Sequence, residues 1–413
     1  MVIVGGTWSD ELGKWADHPD RFTVAPYTRL NVRVRTGRGG TAPVKQVRPE
    51  YDQRWDALVV DEAHYIKGRD TSWTYAVDQL ARQSGSVMAL TGTPMPNWAH
   101  ELFTVLKVLR PDEAKPGGQL GSYWRWVDAW FVQSPSRWNP RKTEIGGLLM
   151  CQGHLECQDR PPSNPCDHWR IFVDFNFGGR FLRRLRDDVL DLPPITESRE
   201  LTPMDATQKR MYKELRLDYL THLENGEELV AWTPGSRHVM LDKITTSSWF
   251  MEMDGEPRGG KLERLRFDLE GRSAPTLVLA HYRDTVEACV RVAESVGASA
   301  AAVHGGVSNR EKSRIVEEFK AGRLDVLVGS LETLAEGLTL TVADVVIFVE
   351  KSYKPSRNEQ AMRRVHRMGQ TRPVTVLDYV TPNSVDERKR VLLETKTDQQ
   401  MRVLSAAQLG SLL

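Results

Sequence analysis

The chain has 413 residues, 40% of them hydrophobic and 27% charged, enough apolar material for two or three buried cores, which excludes a disordered polymer. With 56 Lys and Arg against 55 Asp and Glu the net charge is +1, so no global basic field marks a nucleic-acid binder and any such footprint must be local. No apolar run is long enough to span a bilayer and the start MVIVGG lacks the flanks of a signal peptide, so an intracellular, cytoplasmic setting with no membrane partner is expected, and the 4 cysteines suggest metal or free thiols before disulfides.

In chain order, residues 2–4, 22–24, 57–60 and 86–90 are short apolar runs with helical segments between some of them, which predicts part of a parallel sheet in an α/β fold. The run 57–60 delivers the DEAH motif, Asp61 to His64, at its carboxyl end, where open α/β sheets bind ligands. Adjacent carboxylates there divide the labour of phosphate hydrolysis: Asp61 is the candidate holder of Mg2+, and Glu62 the candidate base for the attacking water. An acidic helix start after a buried strand is the plainer alternative. TGTP follows the next strand, and its Thr91 and Thr93 hydroxyls are placed to bond the acidic motif, although Thr, Gly and Pro also make ordinary turns.

Residues 112 to about 180 are rich in Trp, Pro, Gly and Cys, the composition of an insertion. Within it Cys151, His154, Cys157, Cys166 and His168 offer five ligands, enough for a tetrahedral Zn2+ with one to spare; the alternative is a loop with free thiols. Trp126 and Trp130 are four apart, as one buried helix face requires, so the aromatic stretch 123–138 is expected in a core rather than stacked on bases. A mostly helical stretch over 181–228, interrupted by LPP at 192–194, and a linker over 229–272 follow.

Apolar runs at 276–280, 299–303, 325–329, 345–349 and 374–380 then alternate with helical segments, the rhythm of a doubly wound parallel sheet. Ser308 and Glu311 form a capping box, Ile315, Val316 and Phe319 give the next helix its apolar face, and Gly322 ends it. Ser330 and Thr333 carry hydroxyls suited to a nucleic-acid backbone, and Gly337 permits close approach. In QAMRRVHRMGQ, residues 360–370, Arg364 and Arg367 are three apart; on a helix they share a face and aim two guanidinium groups at one phosphate cluster. A solvated basic face of Arg363, Arg364, Arg367 and Arg372 is the alternative, but it leaves Gln360, Gly369 and Gln370 unexplained.

VVDEAHYIK (59–67), LTGTPMPN (90–97), FLRRLRDDVLDLPP (181–194), VHGGVSNREKSRIVEEF (303–319), SLETLAEGLTLTVAD (330–344) and QAMRRVHRMGQ together resemble the Swi/Snf-type DNA-dependent ATPases of helicase superfamily two, HRMGQ most diagnostically. The resemblance implies two RecA-like doubly wound lobes that close on ATP and Mg2+, with duplex DNA across both and translocation without strand separation. It implies that Asp61 and Glu62 are the magnesium and water-activating pair and that Arg364 and Arg367 are arginine fingers. His64, Thr91, Thr93, Gly337, Asp344 and Gln360 would serve the nucleotide, and Ser330, Thr333, His304 and Gly305 the DNA. The corresponding domains are a first lobe over 1–111, the possible zinc insertion over 112–180, a helical protrusion and linker over 181–272, a second lobe over 273–400 and a tail over 401–413.

The family's G-x-x-x-x-G-K-[ST] phosphate loop has no counterpart in these residues. WSDELGKW at 8–15 has Trp where the first Gly and the Ser or Thr belong, and GGKL at 259–262 lacks the hydroxyl residue and a preceding strand. VIVGGTWSDELGKW instead resembles the family's next motif. The first lobe is therefore expected to be N-terminally truncated, and a separate polypeptide bearing the Walker A loop, or an upstream extension, is expected to complete it. Two other classes compete: a truncated, ATPase-inactive DNA-binding or scaffold protein, and an unrelated nuclease or hydrolase using Asp61 and Glu62 with another metal. The intact Asp61, Glu62, Arg364 and Arg367 favour the motor, and no second metal cluster supports the nuclease.

Overall fold

A computed structural model describes residues 1–4, 8–34, 44–95, 97–136, 143–183, 190–222, 228–248, 256–272, 274–334 and 339–410. The chain divides into two compact units, Met1–Arg183 with Lys396–Leu413, and Arg184–Thr395.

In the first unit four parallel strands lie in the order Val24–Pro26, Val2–Val4, Trp55–Val60, Ser84–Ala89, with Val2 opposite Val59 and Val60 opposite Ala89. The helix Ser72–Arg82 connects the last two strands; it starts where the Thr71 hydroxyl accepts the Thr74 amide at 3.2 Å and packs Ala76, Val77 and Leu80 into one core with Leu58 and Val60. Each of these Val and Leu side chains taken from water is worth about 1.5–3 kcal/mol. The outer strand is different. Along Ser84–Ala89 no residue is buried and Met88 is 57% exposed, whereas parallel sheets are ordinarily covered on both faces.

A second core in this unit gathers Trp126, Trp130, Phe131 and Phe172 with Val403 and Ala406, which belong to the C-terminal helix Val385–Gly410. The Trp126 indole donates to the Asn176 side-chain oxygen at 2.8 Å, both groups buried, so the expected burial of Trp126 and Trp130 holds. Trp138 lies outside the described residues.

The second unit holds six parallel strands in the order Ala300–Val303, Val326–Ser330, Thr276–Ala280, Val345–Phe348, Val374–Val380, Ile195–Leu201. Alternate residues separate two cores: Val278, Val328 and Ile347 pack with Leu265 and Cys289, and Leu277, Leu327 and Val346 pack with Val316 and Phe319. Helices therefore cover both faces, the doubly wound arrangement. The strand Ile195–Leu201 lies in the stretch expected to be helical; its sequence ITESREL gains the last edge by pairing throughout with Val374–Val380. Among the described residues the expected linker holds the helices Pro234–Thr246, which opens on a Thr233 capping box, and Gly260–Leu269. Ser308 does cap the helix Asn309–Lys320 by accepting the Glu311 amide at 3.3 Å, but the Glu311 carboxylate bonds Arg314 at 3.0 Å, so the expected box is present in its Ser308 half.

Candidate functional site

The strand Trp55–Val60 ends by handing Asp61 and Glu62 to the carboxyl edge of the first sheet. Asp61 is tightly surrounded. Its Oδ2 accepts the Trp8 indole N–H at 2.8 Å, its Oδ1 accepts the Glu62 amide at 2.9 Å, and its backbone carbonyl accepts the Tyr27 hydroxyl at 2.6 Å. Burial, and then the carboxylates of Asp61 and Glu62, push the Tyr27 hydroxyl pKa far up, so Tyr27 remains a donor.

Glu62 has φ 47° and ψ 49°, the left-handed region that side chains rarely adopt, and it caps the short helix Ala63–Lys67. That turn reverses the chain so that His64, 8% exposed, faces back: its Nδ1 lies 3.2 Å from Glu62 Oε2 and 3.3 Å from Thr91 Oγ1. Thr91 Oγ1 also accepts the Thr93 amide at 3.1 Å. The expected link between TGTP and the DEAH motif is thus present, through the contact of Thr91 with His64. Trp8 and Tyr27 were not foreseen, because no spacing rule connects them to Asp61 across the sheet.

WSDELGKW forms the helix Trp8–Trp15, in which Lys14 pairs with Glu11 at 3.2 Å on an exposed face. GGKL is equally committed. A Cβ on Gly260 would stand 2.1 Å from the Pro203 carbonyl oxygen, and Lys261, 1% exposed, binds Asp386 at 2.7 Å and the Val349 carbonyl at 3.0 Å. Lys261 is thereby closed off from a phosphate, and Lys14 lies in the last turn of its helix.

In the second unit the helix Pro355–Met362 carries Gln360 and stops before the arginines. Arg364 and Arg367 sit in consecutive turns, which corrects the expectation of one shared helix face. Val365 is drawn fully into the core, and Gln370, 5% exposed, donates to the Ala343 carbonyl at 2.8 Å while its own oxygen accepts the amides of Thr371 and Arg372 at 3.0 Å each. These anchors and Gly369, whose φ of 98° suits glycine, set the path of the chain beyond the helix. Arg364 is half-buried, and its carbonyl accepts the Leu340 amide at 2.8 Å; Arg367 is exposed and donates to Thr339 Oγ1 at 3.2 Å.

Asp344 is paired with Arg372 at 3.2 Å. Ser330 is largely buried and donates to Thr333 Oγ1 at 2.9 Å. His304 Nδ1 accepts the Gly306 amide at 3.1 Å; burial, then the Arg283 charge, hold its pKa below the usual value, so it is neutral near pH 7. Gly305 faces open space. Gly337 lies outside the described residues.

Of the five candidate zinc ligands, the structure gathers Cys151, Cys157, Cys166 and His168, whose ligand atoms all lie within 4.8 Å of one another. His154 is outside that group and packs its ring on His168 at 5.3 Å between centroids. No helix among the described residues is long and apolar enough to cross a membrane.

A family profile described as "SNF2-related domain" matches residues 4–245, and one described as "Helicase conserved C-terminal domain" matches residues 260–369. The chain is 25% identical over 395 residues to the DNA annealing helicase and endonuclease ZRANB3 of Homo sapiens, covering 92% of this chain and 33% of that protein. To the SWI/SNF-related matrix-associated actin-dependent regulator of chromatin subfamily A member 1 of Homo sapiens it is 25% identical over 351 residues, covering 81% of this chain and 30% of that protein. It thus spans about a third of the length of these relatives. Among solved structures it is similar to the Sulfolobus solfataricus SWI2/SNF2 ATPase core in complex with dsDNA, at 20% identity and a TM-score of 0.41, over 100% of this chain and 84% of that one. Since the SNF2-related profile takes in more than half of its residues and the helicase profile follows in order, the chain belongs to the SNF2-related family of helicase-like ATPases.

Proposed function

We propose that the chain is the motor of an SNF2-type, DNA-dependent ATPase that moves along duplex DNA in an intracellular setting. The observation that carries this reading is the linked set Asp61, Glu62, His64 and Thr91 at the carboxyl end of a parallel strand. Asp61 suits Mg2+, because each of its oxygens accepts one N–H and keeps a lone pair for a magnesium-bound water. When bound, Mg2+ and ATP supply the transferable phosphoryl group and the neutralisation of its charge. Glu62 takes a proton from the attacking water on a carboxylate oxygen, and His64 Nδ1 fixes the direction of that carboxylate. Arg364 and Arg367 stabilise developing phosphate charge from turns held by Val365 and Gln370. Thr91, Thr93, Gln360, Asp344 and Gly337 are assigned to sensing the nucleotide, and Ser330, Thr333, His304 and Gly305 to the DNA.

The phosphate cradle is assigned to chain outside these 413 residues, in the same or a separate polypeptide. Two observations support this: Lys261 is buried against Asp386, and among the described residues the strand Ser84–Ala89 ends its sheet with a parallel edge that an added strand would cover. The competing reading, an ATPase-inactive DNA-binding scaffold, draws on the same open edge.

In the chain supplied with such a segment, Glu62→Gln and, separately, Arg367→Ala should lower DNA-stimulated turnover by about 10²–10⁴-fold. Duplex binding in a mobility-shift assay should change less than about threefold, because neither side chain acts on DNA in this scheme. Turnover within about threefold of the unaltered chain for either variant would overturn the assignment.

A further inference from the structure

We infer that Cys151, Cys157, Cys166 and His168 hold a structural Zn2+ that fixes the loop on which the C-terminal helix is anchored. The separations match a zinc tetrahedron. With Zn–S near 2.3 Å and Zn–N near 2.0–2.1 Å, its edges are about 3.8 Å between sulfurs and about 3.5 Å between sulfur and nitrogen. The observed values are 3.5 Å for Cys151 Sγ to Cys166 Sγ, 3.7 Å for Cys151 Sγ to His168 Nδ1 and 3.4 Å for Cys157 Sγ to His168 Nδ1. A disulfide between Cys151 and Cys166 would need about 2.05 Å, and all three thiols are free.

The four ligands come from separate backbone pieces: Cys151 ends the turn Leu149–Cys151, Cys157 lies in the short helix Leu155–Asp159, and Cys166 and His168 flank the start of the helix Asp167–Phe177. One ion therefore cross-links three elements whose only regular backbone bonding is local. On binding, each thiol releases a proton and the three thiolates with neutral His168 leave the site with a net charge of −1. The loop so closed carries a specific passenger. Arg402, on the C-terminal helix, donates to the Cys157 carbonyl at 3.1 Å and the Arg160 carbonyl at 2.9 Å, while Val403 and Ala406 share a core with Cys157 and Cys166.

The full chain, purified without chelators, should contain about one zinc per molecule by elemental analysis. Replacement by Co2+ should give the intense visible d–d bands of a tetrahedral thiolate site, with a sulfur-to-cobalt charge-transfer band in the near ultraviolet. His154→Ala should keep both signals and His168→Ala should lose them. Chelation should raise amide hydrogen exchange of residues 398–406 at least tenfold while that of the strand Thr276–Ala280 stays unchanged. Because the cobalt spectrum and the exchange are read on the unaltered sequence, misfolding of a variant leaves the inference testable. Octahedral, weak cobalt bands, metal well below one equivalent, a Cys151–Cys166 disulfide in the purified protein, loss of metal on His154→Ala, or unchanged exchange at 398–406 would each overturn it.

Discussion

Glu62 holds φ 47° without being glycine, a conformation that costs on the order of 1–3 kcal/mol, and the bonds around it explain how it persists. Its amide donates to Asp61 Oδ1 at 2.9 Å, and its carboxylate Oε2 lies 3.2 Å from His64 Nδ1 across the turn. In the proposed site His64 is accordingly a positioning residue. His64→Ala should lower kcat in the completed enzyme by about ten- to hundredfold, equivalent to about 1.4–2.7 kcal/mol, with the KM for ATP within about threefold. A rise in KM with kcat unchanged would show that His64 only supports nucleotide binding. DEAH and TGTP were legible because a strand end presents its next residues at a fixed place. The Trp8 contact to Asp61 was not, since it joins residues 53 apart through the pairing of the strands that precede them.

At the scale of elements, the strongest departure from the sequence pattern is the arginine segment. A helical period was a fair expectation for Gln360 to Arg367, but Val365 enters the core and Gln370 satisfies the Ala343 carbonyl, and those tertiary bonds outweigh continued helix. The spacing of Gln370 and Gly369 is thereby accounted for as scaffold. A second element-level feature, invisible to periodicity, is the buried ionic set behind the second sheet: Lys261 with Asp386 at 2.7 Å and Lys389 with Asp242 at 2.6 Å. Lys261→Met should destabilise the second unit by about 3–5 kcal/mol, because Asp386 keeps a buried charge with its nearest partner gone. A calorimetric loss below about 1 kcal/mol would contradict this. Burial opposes ionisation of Asp386, yet Lys261 and then Lys389 hold its pKa below the ordinary carboxylate value, and stability it confers is present above about pH 3.9 and lost as pH falls through the lower folded value. For Lys261, burial works against the charge but Asp386 raises the pKa overall, so its contribution is full below about pH 10.4 and fades as pH rises through the higher folded value.

For the molecule as a whole, the two sheets were legible as apolar runs because parallel strands buried on both faces carry little polar alternation. Ile195–Leu201 escaped that rule as an edge strand with polar residues, and the helix Gly260–Leu269 was masked by the glycines that start it. The cysteine cluster was legible as a metal candidate but not as a ligand set, because which four of five residues converge depends on how three backbone pieces pack. In the proposed function the catalytic groups lie within these residues while the phosphate cradle is supplied from outside them. A cradle contributes several charge-assisted bonds of about 1.5–3 kcal/mol each, so two of them already alter ATP affinity by about 10²–10⁴-fold. The direct measurement is DNA-stimulated ATP hydrolysis by the 413-residue chain, alone and with a polypeptide carrying a strand and a G-x-x-x-x-G-K-[ST] loop. Turnover should be near background alone and rise at least about a hundredfold on addition, with Glu62→Gln abolishing the gain. Robust DNA-stimulated hydrolysis by the chain alone, lost on Glu62→Gln, would contradict the claim by showing that residues within it bind the phosphates.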